Sequence, residues 1–277
     1  MAKNPNEKYW SVTLDGMQLS ARFWANLRKK EGSDMKVSLG ENASMYRCPV
    51  DKKAKFAIVC PGGGYVAVAW PIEGLPVAKR LNELGYHAFV VNYRSGKNAL
   101  APNPIEDVMA ALRTILAHAE EWNVEPEDYL LVGFSAGGHL AAICCTAEHG
   151  FRTAGLPDPA ALALAYPVVT MGEKTHEQSR QYLLGKDAVN DPERLRRFSV
   201  ETLIDPQFPP TYLWQCERDS TVPFENSQML KTALDEQGVS CIYQTYDSSV
   251  HGWGLARKTP AEGWVDRAAA FWEEYCR

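Results

Sequence analysis

Six apolar runs recur along the chain: "KFAIVC" (residues 55–60), "HAFVVNY" (87–93), "YLLVGF" (129–134), "ALALAYP" (161–167), "TYLWQC" (211–216) and "SCIYQTY" (240–246). Most are rich in β-branched and aromatic residues, and their near-continuous apolarity predicts strands buried on both faces, as in a parallel sheet. Helical periodicity fills the gaps. Over residues 104–122, Ile105, Val108, Met109, Leu112, Ile115 and Leu116 fall on one stripe behind a proline suited to a first turn. Residues 223–237 repeat the pattern with Phe224, Met229, Leu230, Ala233 and Leu234, and Gly238 supplies the stop. A last helix over residues 260–275 carries Trp264, Ala268, Phe271 and Trp272. Strands alternating with helices of this length predict βαβ units, with a mostly parallel central sheet between two helix layers. The stretch up to Arg47 is less regular and is expected to add antiparallel strands at one edge. One segment breaks the rhythm: residues 170–210 are polar, irregular and too long for a simple connection. They are expected to form a short lid-like insertion over the active face, against the alternative of a peripheral helical excursion.

Composition narrows the function classes. The 277 residues are 45% hydrophobic and 23% charged, as expected for one α/β domain over residues 1–277. Net charge is −5 and the longest basic run is "RKK" at 28–30, which argues against nucleic acid and anionic membranes as partners. The beginning "MAKNPNEKYW" lacks the apolar core of a signal peptide and no stretch suits a membrane span, so a cytoplasmic location is expected. Seven cysteines, with Cys144 and Cys145 adjacent and no metal-type Cys/His spacing, read as reduced thiols rather than disulfides or metal ligands.

The chemistry is concentrated in "GFSAGG" (133–138), directly after "YLLV". A strand that turns sharply into a helix while lifting one hydroxyl above the sheet needs glycines where side chains would collide, and G-x-S-x-G is that nucleophile elbow. Serine alone is a poor nucleophile, so a histidine base and an acid must converge on Ser135. The order Ser, Asp, His, each after the carboxyl end of a strand, is that of the α/β-hydrolase arrangement. Asp219 in "CERDSTVP" follows the run at 211–216, and His251 in "SSVHGWG" follows the run at 240–246. Glu217 and Asp247 compete with Asp219 for the acid; Asp219 is preferred because "STVP" turns the chain into the next helix. Among the other histidines, His139 lies one helical turn past Ser135 and is expected to pack against or orient the elbow. His87 begins a strand, and His118, His149 and His176 fall on surface-like stretches, although His176 in the insertion can line the site. "CPGGGY" (60–65) follows the first run and offers bare backbone amides to an oxyanion. It lacks the lysine and spacing of a phosphate loop.

With "PGGGY", "GYHAFVVNYR" (85–94), "GFSAGGHLA" (133–141), "YPVVT" (166–170), "PPTYLWQCERDSTVPFENS" (209–227) and "HGW" (251–253), the chain resembles the α/β-hydrolase superfamily. Within it, the likeness is to the acetyl-esterase and xylan-esterase-like branch near the hormone-sensitive-lipase-type esterases. The resemblance implies oxyanion donors at Gly63, Gly64 and Ala136, and deacetylation of acetylated sugars such as xylo-oligosaccharides. The expected route is attack by Ser135, with His251 as base and Asp219 supporting it, through an acyl-enzyme that water resolves; no metal or organic cofactor is expected. The sequence departs from the pattern at Pro61, where lipases carry a histidine. Tyr65, Trp70, Tyr166 and Trp253 are candidates to stack on a sugar, with core packing the equal reading for each. The expected partner is a small-molecule ester, with homodimer formation left open. Rival readings are an arylformamidase or small peptidase, whose formamidase motif H-G-G-x-W "PGGGY" does not match, and a non-catalytic binding protein.

Overall fold

The computed structural model describes residues 35–276. Each of the six apolar runs contains a strand, and two more precede them. β1 (Lys36–Gly40) and β2 (Ala43–Cys48) are antiparallel, as the irregular amino-terminal stretch predicts from residue 35 onward; its earlier part lies outside the described residues. β3 (Phe56–Cys60), β4 (His87–Asn92), β5 (Leu130–Phe134), β6 (Ala161–Ala165), β7 (Thr211–Cys216) and β8 (Cys241–Tyr246) are mutually parallel. The sheet order is β1-β2-β4-β3-β5-β6-β7-β8, so β3 and β5 are central and their residues are all buried.

Period-two alternation divides the core. Phe56, Ile58 and Cys60 of β3 face one apolar layer, whereas Ala57 and Val59 face the other. The first layer packs under α2 (Asn103–Ala117), α3 (Ser135–Ile143) and α6 (Glu225–Glu236); the second packs under α1 (Leu75–Glu83) and α7 (Trp264–Glu273). α2 buries the predicted Ile105, Val108, Met109, Leu112 and Ile115, but closes at Ala117 rather than Trp122. Beyond it His118 stacks on Trp122 with ring centroids 4.6 Å apart. α6 stops where Gly238 takes a φ of 68°.

The segment from 170 to 210 is helical and tied down. It holds α4 (Glu177–Leu184) and α5 (Pro192–Arg197), and its Leu183, Leu184 and Val200 enter the first apolar layer. Asn226 of α6 accepts the amides of Val169 and Thr170 and donates to the Lys174 carbonyl, fixing the start of the segment. No disulfide joins the seven cysteines, all of which lie among the described residues, and five of them are buried. Among the described residues no helix is long and apolar enough to cross a membrane.

Candidate active site

Four loops leave the carboxyl ends of β3, β5, β7 and β8 and meet, as open parallel sheets arrange their ligand sites. β5 delivers Ser135 into the first turn of α3 with a φ of 49°, a left-handed conformation that a residue bearing a side chain adopts only under constraint. The glycines of the elbow permit that constraint. A Cβ on Gly137 would lie 2.2 Å from the carbonyl oxygens of both Cys60 and Pro61. Glycine there therefore lets the elbow press backbone to backbone on the β3 loop.

Ser135 Oγ lies 2.9 Å from His251 Nε2, and His251 Nδ1 lies 2.7 Å from Asp219 Oδ2. The other oxygen of Asp219 accepts the amides of Thr221 (2.8 Å) and Val222 (3.0 Å), so the turn after β7 aims Oδ2 at the imidazole. The Asp219 side chain is fully enclosed and that of His251 is 12% exposed. The competing acids are committed elsewhere: Glu217 accepts from Thr245, and the exposed Asp247 pairs with Arg218.

The β3 loop lies against Ser135, since a Cβ on Gly62 would touch the Ser135 Cβ at 2.8 Å. Gly63 and Gly64 take φ values of 122° and 64°, and among the described residues their amides have no hydrogen-bond partner. Ala136 lies in the first turn of α3, where amides lack an intrahelical carbonyl. Pro61 offers no imidazole, but its carbonyl accepts from the Tyr93 hydroxyl and anchors the loop.

For two of the four aromatics left open between sugar stacking and core packing, the structure shows packing. Tyr65 is fully buried and its hydroxyl lies 2.9 Å from His139 Nδ1; His139 Nε2 faces the Phe198 carbonyl at 2.7 Å. The imidazole thus donates through Nε2 and accepts from tyrosine through Nδ1. Burial, with a smaller push from His149, lowers the His139 pKa to about 4 and keeps it neutral. Tyr166 is likewise fully buried, with its ring 4.6 Å from that of His251, so neither tyrosine presents a face to a ligand. Trp70 is half-buried and packs on Tyr46, and Trp253 is half-buried two residues past His251.

The sequence pattern passed over Glu73. The residue is 3% exposed, with Oε2 accepting the Gly62 amide at 2.6 Å and Oε1 accepting the Tyr166 hydroxyl at 2.9 Å. Burial raises its pKa, opposed by those two donors and by His251. A lone acid in "WPIEGLP" reads as a solvated position; only Gly62, eleven residues back, and Tyr166, ninety-three ahead, give it a role. His176 also borders the site: a Cβ on Gly64 would lie 3.3 Å from its ring and 3.5 Å from the Gln178 side chain. Its pKa is lowered by burial first and by His251 second.

The BD-FAE family model matches residues 45–234, more than half of the chain and all but one of the four site loops, the one that carries His251. The chain belongs to the BD-FAE family. It is 30% identical over 256 residues to endo-1,4-beta-xylanase B of Butyrivibrio fibrisolvens, a match covering 88% of this chain and 40% of that protein. It is also 30% identical over 244 residues to an acetylxylan esterase of Xylanibacter ruminicola, covering 86% of this chain and 47% of the relative. The chain therefore spans less than half the length of these two curated relatives. Among solved structures it is similar to an acetyl ester-xyloside bifunctional hydrolase from Caldicellulosiruptor lactoaceticus. The TM-score is 0.76 at 30% identity, over 86% of this chain and 95% of the other. The BD-FAE chain described here thus has the α/β-hydrolase fold expected from its motifs.

Proposed function

We propose that this BD-FAE family member is a serine carboxylesterase that removes short acyl groups, chiefly acetyl, from acetylated sugars such as xylo-oligosaccharides. The observation that carries the reading is the hydrogen-bonded chain from Ser135 Oγ through His251 to Asp219 at 2.9 and 2.7 Å. In this reading Ser135 attacks the ester carbonyl as His251 Nε2 takes the hydroxyl proton, and Asp219 stabilises the imidazolium through Nδ1. The developing oxyanion is received by the unpartnered amides of Gly63 and Gly64 and by that of Ala136. The tetrahedral intermediate expels the sugar alkoxide, which takes the proton back from His251. Water, activated by the same imidazole, then attacks the acetyl-enzyme and releases acetate.

The sugar half of the proposal is supported by the names of the relatives, an acetylxylan esterase and an acetyl ester-xyloside hydrolase. It is also supported by the polar rim that His176 and Gln178 form beside Gly64. Acetate release from acetylated xylo-oligosaccharide by wild type and Ser135→Ala tests it. Wild-type release that is lost in the variant is expected; equal release by both would remove Ser135 from the reaction. Hydrolysis of 4-nitrophenyl acetate without release from the oligosaccharide would remove only the sugar assignment.

A further inference from the structure

The buried Glu73 belongs to neither the triad nor the expected oxyanion donors, yet it touches the machinery on two sides. It sits in a short π-helical turn, Trp70–Gly74, that touches both the loop after β3 and the loop that carries His251. Towards the first loop its Oε2 accepts the Gly62 amide at 2.6 Å, immediately before the two glycines with open amides. Towards the second its Oε1 accepts the Tyr166 hydroxyl at 2.9 Å, and that hydroxyl in turn accepts the Gly254 amide at 3.2 Å. The Tyr166 ring lies 4.6 Å from the His251 ring. Backbone contact reinforces the link, because a Cβ on Gly254 would lie 2.3 Å from the Ile72 carbonyl oxygen. A carboxylate with both oxygens used and almost no exposure to water is costly to bury unless those bonds are kept.

Resting on the esterase reading, we propose that Glu73 is a positioning residue that ties the oxyanion loop and the histidine loop into one rigid unit through Gly62, Tyr166 and Gly254. It fixes where the Gly63 and Gly64 amides point relative to Ser135, and through the Tyr166 ring it braces His251. Its effect therefore falls on the transition state, where the oxyanion forms, rather than on binding of the ground-state ester.

Steady-state kinetics with 4-nitrophenyl acetate test this on wild type, Glu73→Ala, Glu73→Gln, Tyr166→Phe and Ser135→Ala, with thermal midpoints measured in parallel. Glu73→Ala is expected to lower kcat by about 100-fold while KM stays within about threefold, the signature of a lost transition-state interaction. Glu73→Gln should return kcat to within about tenfold of wild type, since its carbonyl oxygen still accepts the Gly62 amide and only the acceptor for the Tyr166 hydroxyl is lost. Tyr166→Phe, which removes one hydroxyl, should cost about tenfold in kcat at constant KM. Folded Glu73→Ala with kcat within about threefold of wild type, or with the loss confined to KM, overturns the proposal. If Glu73→Ala does not fold, Tyr166→Phe decides, and unchanged kcat in that variant overturns it equally. Turnover by Ser135→Ala at the wild-type rate would instead remove the esterase reading itself, and this proposal with it.

Discussion

In the proposed mechanism Asp219 is aimed at His251 by a turn of four residues, 219–222. The amides of Thr221 and Val222 occupy one carboxylate oxygen and leave the other to His251, so replacing Asp219 by Asn puts an NH2 where an acceptor is needed or forces the wrong imidazole tautomer. Asp219→Asn is expected to lower kcat by about 10⁴ with little change in melting temperature, whereas Glu217→Gln and Asp247→Asn stay near wild type. A comparable loss in Asp247→Asn would mean that the acid is misassigned. His139 makes a different residue-scale prediction. Its pKa in the fold is about 4, below the ordinary value of 6.5, so between those values the unfolded chain binds the proton that the folded one refuses. Its contribution is complete above pH 6.5 and is lost as pH falls towards 4, by roughly 3 kcal/mol over that window. Urea denaturation of wild type and His139→Gln should show a stability difference that shrinks across that window. A difference constant from pH 7 to 4 would contradict it. The convergence of Ser135, Asp219 and His251 was legible because each follows its own strand within a few residues. Glu73 and the burial of Tyr65 and Tyr166 were not, because their partners are set by tertiary packing between distant loops.

Strands and helices were legible for a related reason: burial on both faces writes itself as continuous apolarity in β3 to β7, and β3 to β8 each fall inside a predicted run, although β8, at the sheet edge, has no fully buried residue. Boundaries were less so. α2 ends at Ala117, whereas the apolar pattern runs on to Trp122, which packs against Phe89 and His118 from a turn beyond the helix. Residues 170–210 are dominated by polar side chains, yet Met171, Leu183, Leu184, Val200 and Phe208 are among those buried, and these scattered inward positions dock the segment without a regular stripe. At the elbow, the packing of α3 on the β3 loop makes a sharp prediction. Gly137→Ala should cost about 3 kcal/mol or more, because its Cβ meets two backbone oxygens that cannot move independently. Gly155→Ala, at a φ of 65° with nothing within 4 Å, should cost only about 1–2 kcal/mol for its backbone conformation. Equal losses in chemical denaturation would show that close approach does not govern the elbow.

At the scale of the molecule, the sheet brings four loop ends to one place, and the neighbouring segment gives that place a polar rim at His176 and Gln178. A long acyl chain would need a continuous apolar channel, each buried methylene contributing about 0.8 kcal/mol. The expected profile of kcat/KM across 4-nitrophenyl esters therefore peaks at acetate and falls towards octanoate; a maximum at hexanoate or beyond would contradict the carbohydrate assignment. The central claim is that Ser135 is a nucleophile activated by His251. Its most direct test is reaction with a fluorophosphonate, followed by peptide mapping of the adduct. A single phosphonyl group is expected on the peptide carrying Ser135, formed at least about 100-fold more slowly in His251→Ala. An unlabelled protein, or an adduct on another residue, would contradict it.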